Sequence, residues 1–339
     1  MAATKSNDRP PRGKGVILAG LAAALAATAG WVASKARRAE EDQRPQGAFV
    51  AVDGVRVHYL DRGRGKPVVL LHGNAVRLQD FVASGLIDRL AQHYRVVAFD
   101  RPGFGYSARP RDRLWTAEAQ AELLHKAMAQ LGLEQAVVIG HSWGTLVALE
   151  LALREDAAVQ QLILVSGYYF PTARVDAALA APVAIPVVGD VMRYTVSAVS
   201  ARLLLGRTVK AMFAPQPVPA NFLPILVHEM LVRPVQIRAN AEDAAFMFPG
   251  AAGLRERYGR LTIPVTIFAG EADKIVDPEA HAGRLHAELS NSELHIIPGL
   301  GHMLHYAVPE QLVAAVRSNQ TTAGNSVERQ GESWPDITA

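Results

Sequence analysis

Short, uninterrupted apolar runs recur along this chain and alternate with longer stretches that have helical periodicity. A strand that is covered on both faces carries such a continuous run, because neither of its faces meets water. Strands that alternate with helices predict a doubly wound, mostly parallel α/β sheet. Ahead of these runs, two short apolar segments on either side of Asp53-Gly54 predict a β-hairpin. The predicted parallel strands are residues 67–71, 95–100, 136–139, 162–165, 264–270 and 293–298.

Residues 171–255 form a connection between two of these runs that is far longer than a strand–helix crossover needs. Ala, Val, Pro and Met are frequent in it, and residues 221–232 and 236–248 have helical patterns. We therefore expect an α-helical cap over residues 171–255, resting on a core of residues 48–170 and 256–317. The larger apolar side chains of the cap either line a pocket or pack the cap onto the core. They include Met212, Phe213, Phe222, Phe246, Met247 and Phe248.

The uncharged segment 16–34 lies between a basic flank at residues 1–15 and a second basic cluster. As a helix it would span about 28 Å, close to the thickness of a bilayer core. It is predicted to be a transmembrane anchor. The alternative is a signal peptide cleaved near Ala29, which would leave a secreted or periplasmic protein. Trp31 and the basic residues after it favour the retained anchor.

Composition and charge narrow the possible functions. The formal net charge of +3 is mild, and the basic residues near the N-terminus suit membrane flanks better than a nucleic-acid surface. The absence of cysteine excludes a disulfide framework, a thiol nucleophile and a Cys-ligated metal. Since the sequence has no H-E-x-x-H, P-loop or dinucleotide motif, we predict neither a metal nor a cofactor. The charged residues 35–47 predict a linker, and the polar residues 318–339 a disordered tail.

The most informative chemical pattern is Gly140-His141-Ser142-Trp143-Gly144. It fits the G-x-S-x-G nucleophile elbow, in which a serine occupies a sharp turn between a strand and a helix. An apolar run precedes the pattern and a helical pattern follows it, which is the context that this motif requires. The alternative is a glycine-rich turn whose serine only caps the helix.

From about Phe49 to Val316 the chain resembles the α/β-hydrolase family. The likeness rests on the elbow, on the strand that ends in His72-Gly73, and on the loop of residues 101–107. The resemblance implies an α/β-hydrolase fold with a helical cap. It also implies a catalytic triad in the order serine, acid, histidine.

By this resemblance, the acid and the base of the triad lie in the loops after the last two predicted strands, at Asp273 and His302. His302 would take the proton of Ser142, and Asp273 would hold the imidazole in the useful tautomer. Two nearby residues are alternatives, Asp277 for the acid and His305 for the base. Asp277 precedes a proline and is more typical of a helix cap.

The oxyanion hole is expected to use the backbone N–H groups of Trp143 and Asn74. These two residues also resemble the haloalkane dehalogenase branch, in which their side chains hold the departing halide. That branch has an aspartate nucleophile, whereas this chain has Ser142. A serine that attacked an alkyl halide would form a stable ether, so an acyl substrate is expected. A pocket wall for Trp143 and a loop-fixing hydrogen bond for Asn74 are the structural alternatives.

The sequence thus predicts a membrane-anchored serine hydrolase that cleaves carboxylic esters with an apolar acyl group. Hydrolysis of a carbon–carbon bond in a β-diketone, or perhydrolysis, is the alternative chemistry on the same triad. A catalytically silent protein that binds a small ligand or a partner is the alternative from another class. The expected partners are a small-molecule substrate and the membrane, without nucleic acid.

Overall fold

The computed structural model describes residues 12–317 apart from residues 155, 157 and 174. An eight-stranded sheet forms its centre. The strands are β1 (Ala48–Val52), β2 (Val55–Arg62), β3 (Pro67–Leu71), β4 (Arg95–Phe99), β5 (Ala136–His141), β6 (Val159–Val165), β7 (Val265–Gly270) and β8 (Ser292–Ile297). The predicted tail at residues 318–339 and residues 1–11 of the basic flank lie outside the described residues.

The strand order is β1-β2-β4-β3-β5-β6-β7-β8. The first two strands pair antiparallel across Asp53 and Gly54, which have φ angles of 47° and 76°. A tight hairpin turn requires such positive φ angles, and the predicted hairpin is confirmed. Strand β2 is antiparallel to β4, and all later pairs are parallel. The predicted doubly wound, mostly parallel sheet is therefore confirmed.

Helices cover both faces of this sheet and fill the long connection after β6. They are α1 (Arg12–Asp42), α2 (Gln79–Ala83), α3 (Leu86–Leu90), α4 (Ala117–Gln130), α5 (Gly144–Ala152), α6 (Val175–Ala184), α7 (Val188–Tyr194), α8 (Val196–Phe213), α9 (Phe222–Leu226), α10 (His228–Leu231), α11 (Pro234–Arg255), α12 (Arg284–Glu288), α13 (Leu304–Ala307) and α14 (residues 309–317). Single turns of 3-10 and π-helix occur at Tyr258–Arg260 and Glu279–Gly283.

The continuous apolar runs are explained by burial on both faces of the sheet. Side chains alternate along a strand, so Val69 and Leu71 of β3 face α4 and α5. Val68 and Leu70 of the same strand face the opposite layer, which contains α2, α3 and α14. All four are fully buried. The carboxyl end of the central strand β5 therefore lies within the buried part of the molecule.

Residues 171–255, here called the helical insertion, contain α6 to α11 and lie between β6 and β7. The prediction of a single helix over residues 221–232 is wrong. The chain breaks at Val227, whose φ angle is 55°, and two short helices result. Arg77 of the core donates hydrogen bonds to the carbonyls of Ile225 and Leu226, so a tertiary contact ends the first helix.

The N-terminal helix is longer than predicted. Residues 35–42, expected to belong to a linker, continue α1 to Asp42. Their helical conformation is stabilised from outside the helix, since Glu40 forms a 2.5 Å ion pair with Arg233 of the insertion and Ala39 is buried. Within the described residues, α1 is the one helix that is long and apolar enough to cross a bilayer.

Candidate active site

The predicted elbow lies at the carboxyl end of β5. Ser142 has a φ angle of 52°, a left-handed conformation that costs a non-glycine residue about 1–3 kcal/mol. The turn is held by a 2.9 Å hydrogen bond from Ser142 N to the Val165 carbonyl. A Cβ at Gly144 would lie 2.3 Å from the Leu71 carbonyl, so only glycine permits this close approach. Packing on both sides thus keeps Ser142 on a sharp turn at the sheet edge.

The structure brings Asp273 and His302 together in the loops after β7 and β8. His302 Nδ1 lies 2.8 Å from Asp273 Oδ2, and both side chains are buried. The other carboxylate oxygen accepts hydrogen bonds from the backbone N–H groups of Ile275 and Val276, at 2.8 and 3.0 Å. A carboxylate that is ionised only accepts, so the proton of His302 lies on Nδ1 and the lone pair lies on Nε2.

The two alternative residues have other contacts. Asp277 is exposed and its carboxylate accepts from Ala280 N at 2.8 Å, which is the helix-cap contact expected for it. His305 Nε2 lies 2.9 Å from a carboxylate oxygen of Asp80 in the core. Among the four candidates for acid and base, Asp273 and His302 are the two in mutual contact.

Ser142 and His302 line one cavity of about 270 Å³ beneath the helical insertion. Asn74 and Trp143 lie in its wall. The remaining lining is mainly apolar and includes Met212, Met247, Ile275 and Val276. A larger cavity of about 460 Å³ lies between Glu118, Glu150 and Arg257 and contains none of the predicted site residues. The smaller cavity is therefore the one that contains the predicted site residues Ser142 and His302.

Two backbone N–H groups are available beside the serine. Among the turn and loop hydrogen bonds of the described residues, neither Trp143 N nor Asn74 N donates to another backbone group. The loop that carries Asn74 lies against the serine, because a Cβ at Gly73 would be 2.9 Å from the Cβ of Ser142. Both N–H groups are therefore candidates for an oxyanion hole.

The side chains of Trp143 and Asn74 are engaged elsewhere. The Trp143 indole N–H donates to the Asp243 carbonyl at 2.9 Å, and this is the only donor that the side chain has. Asn74 Oδ1 accepts a 2.8 Å hydrogen bond from Arg101. These contacts fit the pocket-wall and loop-fixing interpretations and leave the indole N–H without capacity for a halide.

A buried ion pair that sequence reasoning missed joins the core to the helical insertion. Arg101 follows β4, is fully buried and lies 2.6 Å from Asp243 of α11. Arg109 binds the other oxygen of Asp243 at 3.0 Å. Removal of one partner of such a pair leaves a buried charge and costs about 3–5 kcal/mol. No signal in the sequence distinguishes Asp243 from its charged neighbour Glu242, so the pair could not be found from the sequence.

Arg101 also fixes the loop that follows β3. Its guanidinium donates to the carbonyls of His72 and Gly73 at 2.8 and 3.1 Å. Burial, followed by the charge of Arg101, lowers the pKa of His72 to about 3. The neutral imidazole accepts from Arg101 N at 3.0 Å through Nε2, and its Nδ1 donates to the Gly73 carbonyl at 2.7 Å. The loop that carries Asn74, a candidate for the oxyanion hole, is therefore held in place by both Arg101 and His72.

A second buried group lies behind the elbow. Asp80, His141 and His305 have potential metal-ligating atoms within 4.8 Å of one another. Two of them are in direct contact, since His305 Nε2 lies 2.9 Å from Asp80 Oδ2. Burial, followed by the neighbouring His305 and His302, lowers the pKa of His141 well below its usual range. The neutral His141 donates from Nε2 to the His302 carbonyl at 3.2 Å and so supports the loop of His302.

A family profile described as alpha/beta hydrolase fold matches residues 66–307. Haloalkane dehalogenase 2 of Mycobacterium tuberculosis is 24% identical over 270 residues, covering 77% of this chain and 90% of that protein. A 2-hydroxymuconate semialdehyde hydrolase of a Pseudomonas species is 33% identical over 128 residues, covering 37% of this chain and 45% of that protein.

A thermophilic esterase of Thermogutta terrifontis has the same fold, with a TM-score of 0.65 and 22% identity over 82% of this chain and 98% of that one. The sheet and the strand–turn–helix at Ser142 agree with these similarities. Together they identify an enzyme with the α/β-hydrolase fold. The chain belongs to the α/β-hydrolase family. The resemblance inferred from the sequence is confirmed.

Proposed function

We propose that this enzyme is a serine hydrolase that cleaves carboxylic esters through an acyl-enzyme. The observation that carries the proposal is the hydrogen-bonded pair of Asp273 and His302 beside the strained turn of Ser142. Such a pair positions a base, and such a turn presents a nucleophile. The esterase fold of the Thermogutta structure supports this assignment at the level of the fold.

The mechanism follows from the assigned groups. His302 Nε2 accepts the proton of Ser142 Oγ while the oxygen attacks the acyl carbonyl. The negative oxygen of the tetrahedral intermediate is stabilised by the N–H groups of Trp143 and Asn74. His302 then returns the proton to the leaving alcohol, and a water molecule repeats the sequence on the acyl-serine. Asp273 orients the imidazole and stabilises its positive form.

We propose further that the helical insertion acts as a cap that selects the acyl group. The cavity over Ser142 is lined by Met212 of α8 and Met247 of α11, which are both residues of the insertion. Apolar walls stabilise a buried apolar group by about 25 cal/mol per Å². The cap thus favours acyl chains without charge and limits their length by its volume.

A graded series of p-nitrophenyl esters tests this proposal. We expect kcat/KM to rise from short to medium acyl chains, by up to about fourfold per methylene, because each buried methylene contributes about 0.8 kcal/mol. The value should fall once the cavity of about 270 Å³ is full. Steady-state kinetics of the wild-type enzyme measure the profile. A flat profile would contradict the cap as selector.

The Pseudomonas relative, named for a semialdehyde substrate, motivates a second candidate, hydrolysis of a carbon–carbon bond in a β-diketone. Perhydrolysis and ligand binding without turnover are the remaining candidates. The same kinetic series separates them if a β-diketone and peroxide are included. Faster turnover of the diketone than of every ester would assign the second candidate, and no turnover of any substrate would assign a binding protein.

We also propose that α1 is retained as a membrane anchor. The candidate span within this helix, Gly15–Asp42, is 28 residues long, with a mean hydropathy of 2.0 in its most apolar stretch. We expect the full-length protein to stay in the membrane fraction after high-salt and carbonate washes, because salt screens basic flanks but leaves hydrophobic insertion intact. Immunoblots of the washed fractions measure this. A soluble protein that begins near Gly30 would establish a cleaved signal instead.

A further inference from the structure

The exposed apolar side chains of this protein are concentrated in two segments. Of the eighteen large exposed ones among the described residues, nine lie between Leu179 and Leu204 in the insertion, five lie in α1 and four lie elsewhere. Leu203 is 77% exposed and Leu179 is 76% exposed. Exposed apolar side chains that cluster in this way are typical of a protein or membrane contact.

The two segments touch each other. The guanidinium of Arg202 in α8 lies 5.2 Å from the ring centroid of Trp31 in α1. Val32 and Ala39 are buried, and the ion pair of Glu40 with Arg233 holds the end of the same helix. The apolar surface of the insertion is therefore continuous with the helix that we propose to be the anchor.

Helix α8 is apolar on opposite sides. Leu205, Val209 and Met212 are buried against the rest of the insertion. Val196 and Leu203 lie on its outer side and are exposed. A helix that exposes large apolar side chains beside basic ones, here Arg207 and Lys210, is suited to the interface of a bilayer.

The geometry of α1 indicates what covers that surface. Residues 15–24 are exposed throughout, whereas the buried positions begin at Val32. The seventeen residues from Gly15 to Trp31 span about 26 Å as a helix, most of a bilayer core of about 30 Å. The part of α1 that packs against the insertion then begins at the surface of the bilayer, and the neighbouring face of the insertion lies there too.

We propose that the outer face of α6, α7 and α8 rests in the surface of a phospholipid bilayer beside α1. Arg207 and Lys210 are exposed in α8, which has no acidic residue, so anionic headgroups are favoured. Ala180 of α6 and Thr208 of α8 line the cavity over Ser142. The substrate class, resting on the proposed function, is therefore an apolar ester dissolved in the membrane that reaches Ser142 between these two helices.

Site-directed labelling tests the position of this face without reference to activity. The chain has no cysteine, so single cysteines at Leu203→Cys and Val188→Cys can be labelled specifically with the fluorophore NBD. The matched control is Ile296→Cys, an exposed position on the edge strand β8, and Leu21→Cys marks the anchor. The full chain is reconstituted in vesicles of phosphatidylcholine and phosphatidylglycerol, with and without nitroxide-labelled lipid.

We expect the nitroxide lipid to remove most NBD emission at positions 203 and 188, as at position 21, and none at position 296. Quenching at position 21 alone would place the insertion in water and overturn the proposal. Unquenched emission at every position would overturn it together with the anchor. In detergent, the NBD emission at position 203 could instead shift to the blue as the protein concentration rises. That result would assign the face to a second copy of the chain. Because none of these readings needs turnover, failure of esterase activity is distinguishable from failure of the membrane contact.

Discussion

Replacement of Ser142 by alanine is expected to abolish ester hydrolysis, with a loss on the order of 10⁶-fold in kcat. The hydroxyl is the proposed nucleophile, and no other group in the cavity replaces its covalent step. Alanine keeps the Cβ, so the left-handed turn at φ 52° bears the same strain in both proteins. Steady-state kinetics and labelling with a fluorophosphonate measure the loss, and circular dichroism checks the fold.

Ser166 offers a matched control for this variant. It follows β6, has a φ angle of 49° and is buried, and its hydroxyl has no hydrogen-bond partner among the described residues. Ser166→Ala removes the same atoms from the same kind of turn outside the cavity. Activity should therefore stay near wild type in Ser166→Ala. If a folded Ser142→Ala protein retained more than a few per cent of activity, the serine mechanism would be wrong.

Asp273→Asn is expected to lower kcat by about 10⁴-fold, because an amide no longer imposes the tautomer of His302 that leaves Nε2 as a base. The Asn side chain can still accept from the N–H groups of Ile275 and Val276, so the loop should keep its shape. Kinetics of the purified variant measure kcat, and thermal unfolding checks stability.

Asp277→Asn is the comparison for this prediction. Asp277 caps a helical turn through Ala280 N at the surface, so its replacement should cost about 1 kcal/mol of stability or less and leave turnover nearly unchanged. The reverse ranking of the two variants would transfer the role of the acid to Asp277. If both variants kept nearly full kcat, neither carboxylate would orient His302.

The sheet could be predicted from the sequence because burial on both faces leaves a local trace, a continuous apolar run. The contact of Asp273 with His302 could also be predicted from the sequence. Strands β7 and β8 are parallel neighbours, so the loops after their carboxyl ends must meet at one edge of the sheet. Knowledge of the strand order and of the motif order is sufficient for that step.

Other features depend on partners that are distant in the chain. The break at Val227 reflects hydrogen bonds from Arg77, about 150 residues earlier, and residues 35–42 are helical where Glu40 meets Arg233. Local propensity carries no information about such partners. The pair of Arg101 and Asp243 escaped prediction for the same reason, since each residue alone resembles an ordinary surface charge.

That ion pair has a consequence for how the specificity of this enzyme can diverge over evolutionary time. Asp243 belongs to the insertion, while Arg101 holds the loop of Gly73 in the core, so this buried ion pair joins the two parts of the chain. A recombined descendant that inherits a foreign insertion without an acid at this place would leave the buried guanidinium groups of Arg101 and Arg109 without this carboxylate. Met212 and Met247 line the cavity with apolar atoms and form no ion pair, so each can be replaced singly at a smaller cost. New substrate ranges should therefore arise in this lineage by point substitution within the resident insertion, with whole-segment exchange confined to donors that bring the matching carboxylate.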